Sequence, residues 1–208
     1  MRLPLVLIAA TAIVAVPVVA QQAMQKPGSL NPALVTGGTY TADAAHSLIG
    51  WRVDHLGFND YFGIFGDVAG TLTLDPKKPN AARVEVTIPV SKVTTASTGL
   101  TGHLLRAGKD GGKPDFFGPT PADAKFVSTS VTTQGQRAKI TGNLTLNGVT
   151  RPVVLDAAFS GAGIGMNKKE TVGFHATATI KRSEFGIGYA IPMVSDAVNL
   201  DVTAAFEK

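Results

Sequence analysis

Two histidines bracket the single tryptophan of the chain, and their residue types are the first to suggest chemistry. His46, Trp51 and His55 lie in the stretch HSLIGWRVDHLGF. The histidines are nine residues apart, so on a regular strand, whose side chains alternate between faces, they point in opposite directions. Imidazoles on opposite faces cannot share a metal ion. The spacing therefore argues against a metal site and favours structural hydrogen bonds at the ends of a strand.

Other motifs for catalysis or cofactor binding are weak or missing from the sequence. His103 lies in a segment of helical character, and His175 lies on the polar face of a predicted strand. The glycines of GAGIG at 161–165 do not match a dinucleotide fingerprint, because polar MNKKE follows them instead of a helix, and they predict a hairpin connection. The chain has no cysteine, which excludes disulfides and thiolate metal sites. No motif supports an enzyme, a cofactor or a metal.

The positive signal of this region is apolar and aromatic. Ile49, Trp51, Val53 and His55 share one face of the predicted strand, and the aromatic-rich FNDYFGIFG follows it. Such a face either packs into an ordinary core or lines a cavity, since a barrel of about eight strands is either filled by side chains or hollow enough for one small ligand. The pattern alone leaves both interpretations open.

Strands with apolar residues at every second position must position this face. They are predicted around 84–90, 140–146, 172–180 and 198–206, with turn-rich stretches such as LDPKKPNAA and LNGVTRP between them. Long one-faced antiparallel strands predict a sandwich or a barrel. The alternation also predicts the direction of individual side chains. The expected inward set is Trp51, Phe126, Leu144, Phe159, Phe174 and Phe206, and the expected outward set is Glu85, Thr177 and Asp201.

Composition predicts where the folded domain begins and what precedes it. Residues 1–20 predict a cleavable signal peptide, with cleavage after Ala20 or Ala23 left open. Residues 21–38 predict a flexible linker, and 39–208 predict the folded domain. One helical excursion interrupts the strands, with Leu100, Leu104 and Leu105 at helical spacing. No later run predicts a membrane span, and the scattered net charge of +4 does not predict a nucleic-acid partner.

Several ordered blocks resemble the YceI-like family of lipid- or polyisoprenoid-binding exported proteins. The resemblance covers Thr39 to Lys208 and rests on YTADAAHSLIGWRVDHLGFNDYFGIFGDVAGTLTLDP, VEVTIPVSKVTT, DFFGPTPADAKFVSTSV, ITGNLTLNGVTRPVVLDAAF, GFHATATIKRSEFGIG and VSDAVNLDVTAAFE. It implies an all-β fold, namely an extended lipocalin-like antiparallel eight-stranded β-barrel with a short helical excursion. It also implies an apolar tunnel and a periplasmic location.

The resemblance implies that the domain binds, and carries or stores, a polyisoprenoid or similar amphiphilic lipid, without catalysis and without a cofactor or metal. The expected ligand-binding residues are Ile49, Trp51, Val53, His55, Phe58, Phe62, Phe65, Phe117, Phe126, Phe174, Arg182 and Phe185. The candidate hydrogen-bond donors for a polar head group are Arg52, Lys125, Lys181 and Arg182.

The sequence is also compatible with two alternative functions. One is an enzyme that acts on an isoprenoid or quinone in the barrel, with His55 as its titratable candidate; the other is a structural envelope protein with a filled barrel. Leu100-Thr101-Gly102 replaces an Arg-Asp pair that many family members carry before the His-Leu of the helix, so the head group is left open. The oligomeric state is open as well, a homodimer included.

Overall fold

The computed structural model describes residues 25–208, so the expected signal peptide lies outside the described residues. The described part consists mainly of strands, with one α-helix and several short 3-10 turns. The strands are β1 (Gly38–Ala42), β2 (Leu48–His55), β3 (Asn59–Phe65), β4 (Ala69–Leu74), β5 (Arg83–Ile88), β6 (Thr94–Thr95), β7 (Ala124–Gln134), β8 (Arg137–Leu146), β9 (Val149–Ile164), β10 (Glu170–Lys181) and β11 (Ala197–Glu207), and the helix α1 is Thr98–Leu105.

Antiparallel pairing closes these strands into a barrel. The order β1-β4-β5-β7-β8-β9-β10-β11 returns to its start because β1 also pairs with β11, Ala42 opposite Phe206. β2 and β3 continue the wall beyond β1 and β4, since β2 pairs with β11 from Leu48 to Arg52 and β3 ends against β6. The prediction of an eight-stranded antiparallel barrel with a short helical excursion is confirmed.

The interior is filled at one end and hollow at the other. At the lower end, which carries the β9–β10 turn (165–169), Tyr40, Val172 and Phe206 form a buried cluster, and Phe159 and Phe174 pack against it. The upper end carries the β2–β3 turn, α1 and the segment 182–196. All side chains predicted to point inward do so, either in the lower cluster or around the upper cavity, and those predicted to point outward are exposed. Alternation along the strands accounts for both sets.

The helical excursion contains the predicted helix. α1 begins after Ser97, whose side-chain oxygen accepts a hydrogen bond from Leu100 N at 3.2 Å, and Leu104 is buried. An N-cap of this kind satisfies a backbone N–H that has no partner within the helix. Among residues 25–208, no helix has the length and apolar character needed to cross a membrane.

The described part of the expected linker, 25–38, is docked on the barrel. Ser29 exchanges two backbone hydrogen bonds with Ala162 on β9, at 3.0 and 2.9 Å, and Val35 is buried in the lower cluster. Glycine permits this approach, since a Cβ on Gly163 would lie 2.1 Å from Pro27 O. The expectation that GAGIG forms a hairpin connection is corrected: β9 runs through Ile164, and the turn begins only at 165. The glycines serve strand packing rather than a loop.

A hydrogen-bonded carboxylate holds this segment to the lower end of the barrel. Glu170 accepts hydrogen bonds from Thr36 N at 2.9 Å, Thr36 Oγ1 at 2.7 Å and Tyr40 Oη at 2.6 Å, and Lys208 Nζ lies 3.7 Å away. Burial acts to raise the pKa of Glu170, but the hydrogen bonds from Thr36 and Tyr40 and the charge of Lys208 outweigh it. The pKa therefore lies below its ordinary value.

Glu170→Gln is expected to lower the free energy of unfolding by about 1–2 kcal/mol at neutral pH, because a charged acceptor of three hydrogen bonds is replaced by a neutral one. A lowered pKa contributes stability that is present above the ordinary pKa and is lost as the pH falls through the folded-state pKa. The difference between wild type and variant should therefore shrink as the pH falls from neutral to about 3. Urea unfolding across this range, with exposed Glu184→Gln as control, measures it; a difference that stays constant or grows on acidification contradicts the assignment.

Candidate functional site

The upper half of the barrel encloses an apolar cavity of about 690 Å³. Its wall is built from inward-facing residues of most of the barrel strands, closed on one side by α1 and on another by the segment 187–194. The lower cluster closes its floor. Leu56, Tyr189 and Met193 line it and are also exposed to solvent, which places the opening at the upper end. This volume lies within the range of about 300–1,000 Å³ typical of ligand pockets.

The structure brings eight of the expected ligand-binding residues together around this cavity. They are Ile49, Trp51, Val53, His55, Phe65, Phe117, Phe126 and Arg182. The first four share the inward face of β2, as the alternation predicted. Phe65 on β3 meets Phe117 edge to face, with ring centroids 5.9 Å apart, and Phe117 comes from the chain after α1. Their presence in one wall is a geometric fact; their contact with a ligand stays a prediction.

Four expected residues lie elsewhere, for identifiable reasons. Phe58 sits at the tip of the β2–β3 turn and is exposed, and Phe62 faces solvent because it alternates with inward-facing Tyr61 and Gly63 on β3. Phe174 points inward but below the cavity floor, 6.0 Å from the ring of Phe159. Phe185 is fully buried in a 3-10 turn outside the cavity lining.

Many cavity residues were not among the expected ligand-binding set. Alternation on the strands could have found several of them, because it placed β8 and β11 with one face inward. The helical spacing of Leu100 and Leu104 marked one face of α1, whereas contacts from 187–194 carry no such signal in the sequence. The residues missed include Val86, Ile88, Leu100, His103, Leu104, Phe116, Leu144, Leu146, Val153, Leu155, Ile187, Tyr189, Met193, Val198, Leu200 and Val202.

Trp51 occupies its place because the residue opposite it is glycine. Trp51 and Gly63 are direct partners across β2 and β3, and a Cβ on Gly63 would lie 2.1 Å from Cζ2 of the indole. The ring thus lies flat against the backbone of β3 and leaves the cavity open. Its Nε1 is buried and has no hydrogen-bond partner among the described residues. An apolar contact, rather than a hydrogen bond, fixes the position of the indole.

Gly63→Ala is expected to push the indole off β3 and into the cavity, because the new methyl group and Cζ2 cannot occupy one place. Overpacking of this kind costs about 1–3 kcal/mol of stability. The cavity should shrink and the emission of Trp51, the single tryptophan, should shift. Gly66→Ala is the matched control, since its nearest neighbour would be Leu48 Cδ2 at an ordinary 3.6 Å. Equal spectra and equal unfolding curves for the two variants would contradict this packing.

Arg182 lines the cavity but uses its side chain to hold the chain above it. It is buried, and its guanidinium donates to the carbonyl oxygens of Ser195 at 2.9 Å, Ile187 at 3.1 Å, Tyr189 at 2.8 Å and Val194 at 2.8 Å. Burial lowers its pKa, and Asp196 partly offsets this. Because four carbonyls take up four of its five N–H donors, the structure gives Arg182 a structural task in the segment 187–195.

The other cations considered for a polar head group face outward. Arg52 pairs with Asp60 at 3.2 Å and Lys125 with Glu85 at 2.5 Å, both on the outer surface, and Lys181 is exposed. These pairs are solvated and contribute little to stability. A head group at the opening must therefore meet other side chains.

A polar cluster that the sequence did not single out lies beside the opening. Asp115 Oδ2 is 2.8 Å from both His103 Nε2 and Arg106 Nη2, and His103 itself lines the cavity. Hydrogen bonds from Arg106 and then from His103 lower the pKa of Asp115. The imidazole also packs edge-on against Phe116 and Tyr189, with centroids 5.2 and 5.5 Å away. The cluster joins α1 to the chains on both sides of the opening.

The histidines stay apart in the fold. His46 bonds Asp43 at 2.7 Å in the turn before β2, His55 faces the cavity, and His175 meets Asp201 at 2.9 Å on the outer face. The structural hydrogen bond expected of His46 is thus present. Within residues 25–208, no group of three or more potential metal-ligating side chains is gathered.

Comparison with known proteins places this barrel in a family. The profile of the YceI-like domain matches residues 40–206, nearly the whole described barrel. The chain belongs to the YceI-like family. A UPF0312 protein of Pseudomonas paraeruginosa is 38% identical over 181 residues, covering 83% of this chain and 91% of that protein. The Protein YceI of Salmonella arizonae is 36% identical and covers 77% of this chain and 81% of its own length.

Solved structures share the YceI-like fold. BcnA of Burkholderia cenocepacia superposes with a TM-score of 0.66 at 23% identity, covering 79% of this chain and 98% of BcnA. A polyisoprenoid-binding domain from Saccharophagus degradans superposes with a TM-score of 0.55 at 14% identity, covering 81% of this chain and 97% of that domain. At these identities the two structures support the barrel fold.

Proposed function

We propose that this YceI-like barrel binds a polyisoprenoid or similar amphiphilic lipid in its upper cavity, in the periplasm, and carries or stores it without catalysis. The observation that carries the proposal is the cavity itself: about 690 Å³, closed below, open above and walled almost entirely by apolar side chains. The polyisoprenoid-binding domain of S. degradans has the same fold, which supports the choice of ligand class. The sequence of residues 1–20, which predicts a signal peptide, supports export.

The physical chemistry of the cavity favours a long apolar chain. Burial of each CH2 group contributes about 0.8 kcal/mol, so an isoprenoid tail gains strong binding from the wall alone. Trp51, Phe65 and Phe126 offer flat faces to such a chain without asking for a polar partner. The polar end of the lipid then lies at the opening, beside the cluster of His103, Arg106 and Asp115, where the half-exposed guanidinium of Arg106 and solvent can meet it.

Fluorescence of Trp51 tests the proposal directly, because this single tryptophan lines the cavity. Titration with farnesol, a short isoprenoid alcohol, should shift the indole emission to shorter wavelength in a saturable way as water leaves the cavity. Gly63→Ala should bind farnesol roughly tenfold more weakly or worse, because its indole blocks the space. Met166→Ser, at the exposed β9–β10 turn, is the matched control and should bind as wild type does.

Saturable binding that Gly63→Ala weakens supports the cavity as the site. An emission that farnesol leaves unchanged in wild type, or equal affinities for wild type and Gly63→Ala, rules out lipid binding at this place.

A further inference from the structure

An apolar rim lies on one side of the cavity opening. We define the rim by five exposed side chains, two from the β2–β3 turn and three from the segment 186–194: Leu56, Phe58, Tyr189, Ile191 and Met193. Phe58 is 87% exposed and Met193 60%. Single exposed apolar residues are ordinary, but a contiguous group at the mouth of a cavity marks an interaction surface.

Backbone hydrogen bonds make the two parts of the rim one surface. Leu56 N donates to Met193 O at 2.8 Å, His55 and Val194 form an antiparallel bridge, and Ser195 N donates to Asp54 O at 3.0 Å. The β2–β3 turn and the segment 186–194 therefore lie side by side. Because Leu56, Tyr189 and Met193 also line the cavity, the apolar surface runs without interruption from the interior to the outside.

The rim carries no ionic side chain. The stretches that form it, HLGF at 55–58 and GIGYAIPMV at 186–194, contain no Asp, Glu, Lys or Arg. The lower end of the barrel differs, since the turn at 165–169 reads GMNKK and the turn at 75–80 reads DPKKPN. An uncharged apolar surface with one tyrosine, whose ring is apolar and whose hydroxyl stays wet, suits the boundary between lipid head groups and chains.

Arg182 holds this surface in shape. Its four hydrogen bonds to carbonyls of 187–195 keep the segment folded around a buried guanidinium. Ile191 consequently stays on the outer surface, and Met193, which also lines the cavity, keeps 60% of its side chain exposed at the opening. A surface fixed in advance loses little conformational freedom when it binds.

We propose that the rim docks on the surface of a lipid bilayer and inserts Phe58, Ile191 and Met193 among the lipid chains. The inference rests on the proposed function, because it gives the lipid a route: an apolar chain passes from the bilayer over Leu56, Tyr189 and Met193 into the cavity without crossing water. The five rim side chains are uncharged, and the flanking cations are engaged within the protein, Lys113 with Gly186 O at 2.9 Å and Arg106 with Asp115 at 2.8 Å. Docking therefore rests on apolar insertion, needs no anionic lipid and resists salt.

Sedimentation with phosphatidylcholine vesicles tests the docking. The protein is purified from the cells that express it, and every variant carries the same N-terminus. The N-terminal segment therefore cannot cause a difference between variants. The double variant Phe58→Ser/Ile191→Ser changes two rim residues that do not line the cavity, and Met166→Ser, 93% exposed at the lower end, is the matched control. Wild type and Met166→Ser should sediment with the vesicles, and the double variant should partition roughly tenfold more weakly or worse.

Three results of the vesicle experiment would overturn the docking proposal. They are equal vesicle binding by wild type and double variant, absence of binding by wild type, and release of wild type by about 0.5 M NaCl, which screens charges and spares apolar insertion. Light scattering tests whether a second copy of the chain occupies the rim instead. If wild type is a dimer, the double variant is a monomer and neither binds vesicles, the rim is a dimer interface and the proposal is overturned as well. Farnesol titration of Trp51 keeps the two proposals apart, because the double variant should bind farnesol as wild type does; loss of farnesol binding in every protein removes the proposed function alone.

Discussion

Arg182→Leu is expected to lower the free energy of unfolding by roughly 3–5 kcal/mol, because it removes a charged donor from four backbone carbonyls that fold around it. The segment 187–195 should lose its fixed shape, and with it one wall of the cavity opening. Chemical unfolding gives the stability, and hydrogen exchange should show faster exchange across this segment while the lower end of the barrel keeps its protection.

Two further variants test the structural role of Arg182. Arg182→Lys keeps the charge but concentrates the donors on one nitrogen, so it should recover only part of the loss. Arg52→Leu removes an exposed cation paired with Asp60 and should cost less than about 1 kcal/mol. A loss of similar size in Arg182→Leu and Arg52→Leu would show that the guanidinium does not hold the segment.

Trp51→Ala is expected to lower the amount of bound lipid by roughly tenfold or more, since it removes the largest apolar face of the cavity wall. The lipid-free protein should lose only about 1–2 kcal/mol, less than the 3–5 kcal/mol of a packed aromatic residue. Part of the indole faces empty space, and its N–H has no partner to lose within residues 25–208. Lipid retained through purification, measured by mass spectrometry, and unfolding of the delipidated protein give the two values.

Phe206→Ala is the contrasting variant for Trp51. Phe206 is buried in the lower cluster, so its loss should open a cavity costing about 3–5 kcal/mol and leave lipid retention nearly unchanged at temperatures where the protein is folded. A large stability loss in delipidated Trp51→Ala, equal to that of Phe206→Ala, would mean that Trp51 belongs to a packed core.

The sequence predicted those parts of the fold that depend on alternation along one strand. β5, β8, β10 and β11 each bury one face, so their inward and outward residues followed from a period of two. The turn at 165–169 was misplaced, because Gly161 and Gly163 resemble loop residues unless the docked segment around Ser29 is known. That segment is far away in the sequence, and no local pattern could reveal it.

For the candidate site as well, the sequence predicted features of a single strand but not those that depend on distant contacts. The shared face of Trp51 and its neighbours on β2 could be assigned. Phe62 was included in the expected ligand-binding set but faces solvent, because the aromatic cluster in FNDYFGIFG was read without its register against β2. The task of Arg182 depends on carbonyls supplied by a loop, and a sequence does not show where carbonyls converge. Gly63 matters only because Trp51 lies opposite it, and that is a property of the strand pair.

Mass spectrometry of the organic extract from protein purified from the cells that express it tests the central claim most directly. We predict that wild type carries an amphiphile with a long apolar chain, an isoprenoid in the first place, in an amount close to one per chain, and that Trp51→Ala prepared in parallel carries far less. An extract of folded wild type with no lipid above the background of an unrelated protein purified in the same way, or equal lipid in wild type and Trp51→Ala, would contradict the claim that this cavity holds a lipid.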